Sequence, residues 1–293
     1  NVSGVIAGGP KKLINDNVFN NWTCGSGAVN VIESDLGGNN TTVNDNIISG
    51  ITASGSISGI LLGNGNAELI QTCSGNTISG LTSTAGIVLG ISGGSANVAM
   101  FDISSNSISA LSSGGSGTSI GIAIQNASTV KCYKNKLYDI SGSNAGSFVY
   151  GIRTSTGSNS TVNIYNNLIG DLRATVATND EAVTGIRSTA SNTNCFLNIY
   201  YNTVYLNATS PGTNFGSSGI RVISSAVATT TSLDLRNNII INTSTSNGTG
   251  KTTAFRRNGT TLGNFANTSN NNIFYAGIPS VRNLIFFDGT NSD

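Results

Sequence analysis

Val162 to Leu172 reads VNIYNNLIGDL: apolar residues alternate up to a pair of Asn, a branched apolar residue stands two places after the second Asn, and another follows three places later. With that second Asn as anchor, the phrase recurs nine times, at Asn17, Asn46, Asn76, Asn106, Asn135, Asn167, Asn202, Asn238 and Asn272, in steps of 29 to 36 residues. A period in this range marks a repeat architecture.

Apolar side chains keep fixed offsets from the anchor. Three places before it stand Ile14, Val43, Cys73, Ile103, Cys132, Ile164, Ile199 and Leu235, with Ser269 the exception. Two places after it come Phe19, Ile48, Ile78, Ile108, Leu137, Ile169, Val204, Ile240 and Phe274, without exception. Five places after it come Trp22, Ile51, Leu81, Leu111, Ile140 and Leu172, and the rule lapses at Asn207, Thr243 and Gly277. A strand buries every second side chain, so these offsets suit short strands joined at a corner, and the 3.6-residue spacing of a helix is absent.

Between anchors runs a second phrase, GI, at Gly59, Gly86, Gly121, Gly151, Gly185 and Gly219, with AF at Ala254 and a looser GV at Gly4. Three short strands per repeat, with no room for a helix, predict an all-β chain: a right-handed parallel β-helix of about nine coils, each strand pairing with its equivalent one turn away. The anchor Asn would tolerate a left-handed corner, and its amide would bond along the column. At ~4.8 Å per coil the rod is on the order of 43 Å long.

The repeat runs nearly end to end, so residues 1–293 read as one domain. Gly4-Val5 already reads as a strand with no signal peptide before it, which suggests a piece of a longer chain. Charged residues make up 9% and the net charge is +1, which gives no general attraction to nucleic acid or to an anionic membrane. No apolar run approaches the ~18 residues of a membrane span. A composition rich in Ser, Thr and Asn suits a secreted or cell-surface repeat protein. Cys73 and Cys132 share an inward column but lie two coils apart, ~10 Å, beyond disulfide reach, and Cys24 and Cys195 sit at other offsets. All four read as free thiols.

From Asn135 onward the coils lengthen between the strand after the anchor and the next GI, as at Arg173 to Thr184, and insertions along one edge mark the edge free to carry function. The residue after GI is Leu61, Val88 and Ala123 in the first half, then Arg153, Arg187 and Arg221, with Arg256 after Phe255. Two places before the anchor stand Tyr133, Tyr165 and Tyr200, then Arg236, while Asp139 and Asp171 share an offset in adjacent coils. Ile278, Val281, Leu284, Ile285, Phe286 and Phe287 could cover the last coil, whose open edges would otherwise pair with other chains.

The NN-x-I coils, the GI strands and the closing NLIFFDGT phrase resemble the parallel β-helix repeat regions of large secreted or cell-surface proteins of Bacteroidetes-type bacteria, and the fold resembles that of the pectate-lyase-like superfamily. The resemblance implies that the GI strands and the loops leading into them line a polysaccharide groove, which would place Arg153, Arg187 and Arg221 there. Polygalacturonase-like members carry a catalytic His-Gly pair, and this chain contains no His.

Other motifs are weaker. Gly117 to Gly121, GTSIG, matches a nucleophile pattern around Ser119, but no His can serve as its base. GTGKT at Gly248 to Thr252 lacks the first Gly of a phosphate loop and reads as a plain loop. The Arg column repels itself unless Asp180 and Glu181 neutralise it or an anion binds. The Tyr residues could stack against sugar rings, or simply cover backbone. Asp139 with Asp171 could hold Ca²⁺ or form an acid/base pair, while Lys136 and Arg173 offer plain salt bridges instead. No other cofactor is implied. The reading that results is a non-enzymatic extracellular stalk, fibre or adhesin segment, binding polysaccharide or further copies of itself end to end. The alternative is a lyase or hydrolase acting on an acidic polysaccharide with Arg and Asp groups.

Overall fold

The computed structural model describes residues 11–35, 38–63, 68–95, 97–155, 157–189, 193–223, 232–260, 263–290 and 292–293; the expected strand at Gly4-Val5 lies outside them. Every strand pair within its three sheets is parallel, and each strand bonds to its equivalent one coil away. No helix occurs among the described residues. The first sheet runs from Lys12–Asn15 to Ser232–Arg236 and leads into each anchor, the second runs from Val18–Thr23 to Ile273–Tyr275 and follows it, and the third, from Val29–Ser34 to Asn283–Phe287, carries GI.

The solenoid has about eight turns rather than nine. The first sheet holds eight strands, and the last coil adds only isolated bridges, Leu233 to Phe265 and Arg236 to Asn270. Its inward position holds Ser269, whose hydroxyl accepts from the Leu235 N–H at 3.0 Å where an apolar residue would continue the column.

The anchors form one amide ladder. Each Nδ2 donates to the Oδ1 of the next anchor at 2.8 to 3.1 Å, from Asn17 through Asn272. The same Oδ1 accepts the backbone N–H of the preceding anchor, and a second Nδ2 hydrogen reaches a carbonyl one coil back, as from Asn135 to Ile103. The ladder therefore satisfies buried backbone at the corner where sheet pairing lapses. Asn46 to Asn238 are at most 2% exposed, whereas Asn17 at the first coil is exposed.

The left-handed residue at this corner is not the anchor but the one before it. Asp16, Asp45, Gly75, Ser105, Lys134, Asn166, Tyr201, Asn237 and Asn271 have φ between 54° and 69°. The anchor instead turns its amide inward, which an extended backbone permits, and its neighbour absorbs the reversal.

A second reversal explains the column five places after the anchor. Asn21, Gly50, Gly80, Ala110, Asp139 and Asp171, four places after their anchors, also have positive φ, and each skips one step of the alternation so that positions two and five both face inward. In Thr203–Leu206 and Ile239–Asn242 no such residue occurs; the strand runs straight, and Leu206 and Asn242 are buried in place of Asn207 and Thr243. Asp139 and Asp171 thus occupy a bulge that favours small or polar residues. Ala110 adopts φ 50° where neighbouring coils use Gly50 and Gly80. Ala110→Gly is expected to stabilise the chain by about 0.5–1 kcal/mol in urea unfolding, the reverse of the usual Ala-to-Gly effect.

One GI register is corrected. In the third sheet Ile60 pairs with Ile91, so the equivalent of Gly59 is Gly90 rather than Gly86, and the outward residue after it is Ser92 rather than Val88. Two GI-like phrases four residues apart are indistinguishable by pattern; the packing separates them. A Cβ on Gly90 would lie 2.5 Å from the Gly121 carbonyl oxygen and 2.7 Å from Ile108 Cγ2, whereas Ile87 is 42% exposed.

The C-terminal phrase does not act as a cap. Asn283–Phe287 is another third-sheet strand, with Leu284 buried and Phe286 packed on the core, while Ile278 and Val281 are 79% and 83% exposed in the turn before it. None of the four Cys forms a disulfide; Cys73 and Cys132 are fully buried, and desolvation raises both thiols well above the ordinary range.

Candidate functional site

On the third sheet the chain skips one pairing at each Gly, so the residue before Gly and the residue after Ile both face outward. The first column runs Ser58, Leu89, Ile120, Tyr150, Thr184, Ser218 and Thr253, and the second runs Leu61, Ser92, Ala123, Arg153, Arg187, Arg221, Arg256 and Phe287. Ile120, Ala123 and Tyr150 form an apolar cluster of their own, with Leu89 and Phe148 against it, outside the main core. The outward face thus changes from apolar to cationic at Arg153.

The four guanidinium groups lie in register, one per coil, and are neutralised unevenly. Arg256 donates to the Asp180 carboxylate at 2.7 Å and to its carbonyl at 3.1 Å. Arg221 pairs with Glu181 at 2.8 Å, and Glu181 also lies 3.6 Å from Arg256. The loop that carries both acids reaches across coils, since Asp180 also accepts the Lys251 N–H at 2.8 Å. The counter-charge read from the sequence is therefore present, but only for the far half of the column.

Arg153 and Arg187 have no carboxylate partner among the described residues. Arg187 lies over the Tyr150 ring, 5.2 Å from its centroid. Arg153 lines a hollow of about 630 Å³ together with Asn97, Gln125, Asn126 and Ser155. Burial, and then the neighbouring charge of Arg187, hold the Arg153 guanidinium below its ordinary basicity. Burial does the same to Arg221, against the opposing pull of Glu181.

The tyrosines divide. Tyr133 and Tyr165 stack with centroids 4.8 Å apart and planes 1° from parallel. Tyr200 is in register with Tyr165, but its hydroxyl donates to Asp234 at 3.0 Å and Arg236 lies over its ring at 5.3 Å. Burial and the Asp234 bond push the Tyr200 phenol up to about 12.

Asp139 and Asp171 are neighbours on the second sheet, and Arg173 pairs with both, with its Nε 3.2 Å from Asp171. Its guanidinium occupies the place a cation between them would take. Among the described residues no group of three or more His, Cys, Asp or Glu could hold a metal ion. Ser119 is fully buried in a strand and donates to the Ser141 carbonyl at 2.7 Å, so it offers no nucleophile to solvent. Lys251 of GTGKT donates to the Val281 carbonyl at 3.2 Å and lies over Phe287.

Three features escaped the sequence reading. The Arg153 hollow is built by Asn97, Gln125 and Asn126, from corners whose spacing is irregular. Tyr201 is 59% exposed at the left-handed position before its anchor, and the −1 column does single it out as the one aromatic there. Arg257 is 1% exposed, in register with Val222, and donates to Asn264 at 2.5 Å.

Compared with known families, curated proteins and solved structures, the chain matches none. No helix among the described residues is long and apolar enough to cross a membrane.

Proposed function

We propose that this β-solenoid is a non-enzymatic structural and adhesive element of the cell exterior that binds an acidic polysaccharide at Arg153 and Arg187. The observation that carries this reading is the uneven neutralisation of one cationic column: Asp180 and Glu181 cover Arg256 and Arg221, and the next two guanidiniums have no carboxylate partner among the described residues. A guanidinium presents paired donors that match a carboxylate. Because the column runs from coil to coil, a bound polymer lies along the rod axis with acid groups at multiples of ~4.8 Å. The amide-lined hollow beside Arg153 offers donors and acceptors for sugar hydroxyls.

An extracellular site is in keeping with the Ser-, Thr- and Asn-rich composition, and the groove implied by the pectate-lyase-like resemblance falls on this same sheet. The lyase or hydrolase alternative is less well supported, because the acids named for it are already paired among the described residues. Asp139 and Asp171 stand on a different sheet from the Arg column and are paired with Arg173, while Asp180 and Glu181 are held by Arg256 and Arg221.

Replacing Arg153 and Arg187 together by Ala is expected to weaken binding of polygalacturonate about tenfold at low salt and to flatten its salt dependence. Both side chains are half-buried but neither loses a carboxylate partner, so stability should change by no more than about 1 kcal/mol per site. Unchanged affinity in the double variant would reject the site.

A further inference from the structure

A second outward feature, on the first sheet, is independent of the arginines: the place where the tyrosine stack stops. Tyr133 covers one face of Tyr165. Tyr200 occupies the next rung by backbone register, yet Asp234 and Arg236 engage it and it does not extend the stack. Beside Tyr165 a hollow of about 430 Å³ opens, lined by Lys131, Asn163, Asn166, Tyr200 and Tyr201.

We propose that this hollow binds one neutral hexopyranose unit of a glycan, stacked on Tyr165 in place of the missing rung. Its size falls within the ~300–1,000 Å³ of small-ligand sites. Tyr165, Tyr200 and Tyr201 make up half of its lining, and the negative face of a ring attracts the C–H-rich face of a sugar more than an anionic group. The rim supplies the polar contacts a sugar needs, the Asn166 amide and the Tyr201 hydroxyl, at a corner whose left-handed residues turn both outward. The Asn163 amide is less available, since it donates to the Val130 carbonyl at 3.2 Å and accepts from Asn198 at 2.9 Å.

Charge decides between a neutral and an acidic sugar. Lys131 is the one cation among the lining residues, and it stands in register with Asp102 on the adjacent strand; burial raises the Asp102 carboxyl, and the charge of Lys131 opposes that rise. The rim thus carries a single cation with a carboxyl group on the adjacent strand, against the two in-register guanidiniums of the Arg153–Arg187 surface. A flat aromatic ligand would stack equally well but would leave the amide and hydroxyl donors unmatched, at a cost in desolvation.

The test uses cellohexaose as a neutral probe and hexagalacturonate as an acidic one, each titrated calorimetrically into the whole chain. Cellohexaose should bind saturably, with Tyr165→Ala weakening it about tenfold, Tyr165→Phe leaving it within about twofold, and Arg187→Ala leaving it unchanged. Tyr201→Ala, at the exposed rim, should weaken it as well and guards against loss of fold in the Tyr165→Ala protein, whose circular dichroism is recorded alongside. Absence of saturable cellohexaose binding to the unaltered chain, or an affinity that neither Tyr165→Ala nor Tyr201→Ala lowers, overturns the proposal. Hexagalacturonate binding that depends on Arg187 but not on Tyr165 would persist in that case, so the two sites fail separately.

Discussion

Asn135→Ala is expected to lower the stability of the chain by about 4 kcal/mol or more in urea unfolding, the largest effect of any single substitution outside the apolar columns. The change removes the acceptor for the Asn106 N–H and Nδ2, and the donor to the Ile103 carbonyl and the Asn167 Oδ1, all of them buried. Each buried polar group left without its partner costs about 1–3 kcal/mol, to which the cavity adds. The same substitution at Asn17, exposed at the first coil, should cost about 1 kcal/mol, because water can replace the lost bonds. Equal losses at the two positions would show that the amide ladder is not what holds the coils.

Glu181→Gln should have the second-largest effect, and two consequences of opposite sign. Arg221 has a side chain only 9% exposed and Glu181 is its sole carboxylate partner among the described residues, so removing that charge leaves a desolvated guanidinium. Breaking a buried pair by one partner costs about 3–5 kcal/mol; with Glu181 itself 23% exposed, a loss of about 2–3 kcal/mol is expected. In the same protein a third guanidinium of the column loses its counter-charge. Polygalacturonate should therefore bind more tightly, with a steeper dependence on salt, even as the fold weakens. A variant that loses stability without gaining affinity would show that the loop merely supports the sheet and does not compete for the column.

The fold was legible because its determinants are local and periodic. One invariant Asn and two apolar columns sufficed to place the first two sheets, since a fully inward side chain leaves little freedom of type at that offset, and the GI phrase placed the third. What the pattern could not show was backbone sign. Ser105, Lys134 and Tyr201 share the left-handed position before the anchor, and nothing in their side chains announces it. The Gly86 and Gly90 ambiguity had the same root, because a glycine required by a neighbour's carbonyl looks like one in a turn. Of the candidate sites, the Arg column and its counter-ions were readable from offsets alone. Which arginines were neutralised was not, since Asp180 meets Arg256 from 76 residues away through a loop that follows no repeat. Tyr200 was read as a third rung because register says so; its contact with Asp234 and Arg236 is a competition between side chains that spacing does not record.

The most direct test of the account is calorimetric titration of the unaltered chain with hexagalacturonate at low and moderate salt, followed by chromatography of the same sample. A binding scaffold predicts saturable heat that weakens as exposed charges are screened over ~10 Å at 0.1 M salt, and a hexamer recovered intact. No saturable heat at low salt, or recovery of shortened oligomers, would contradict it.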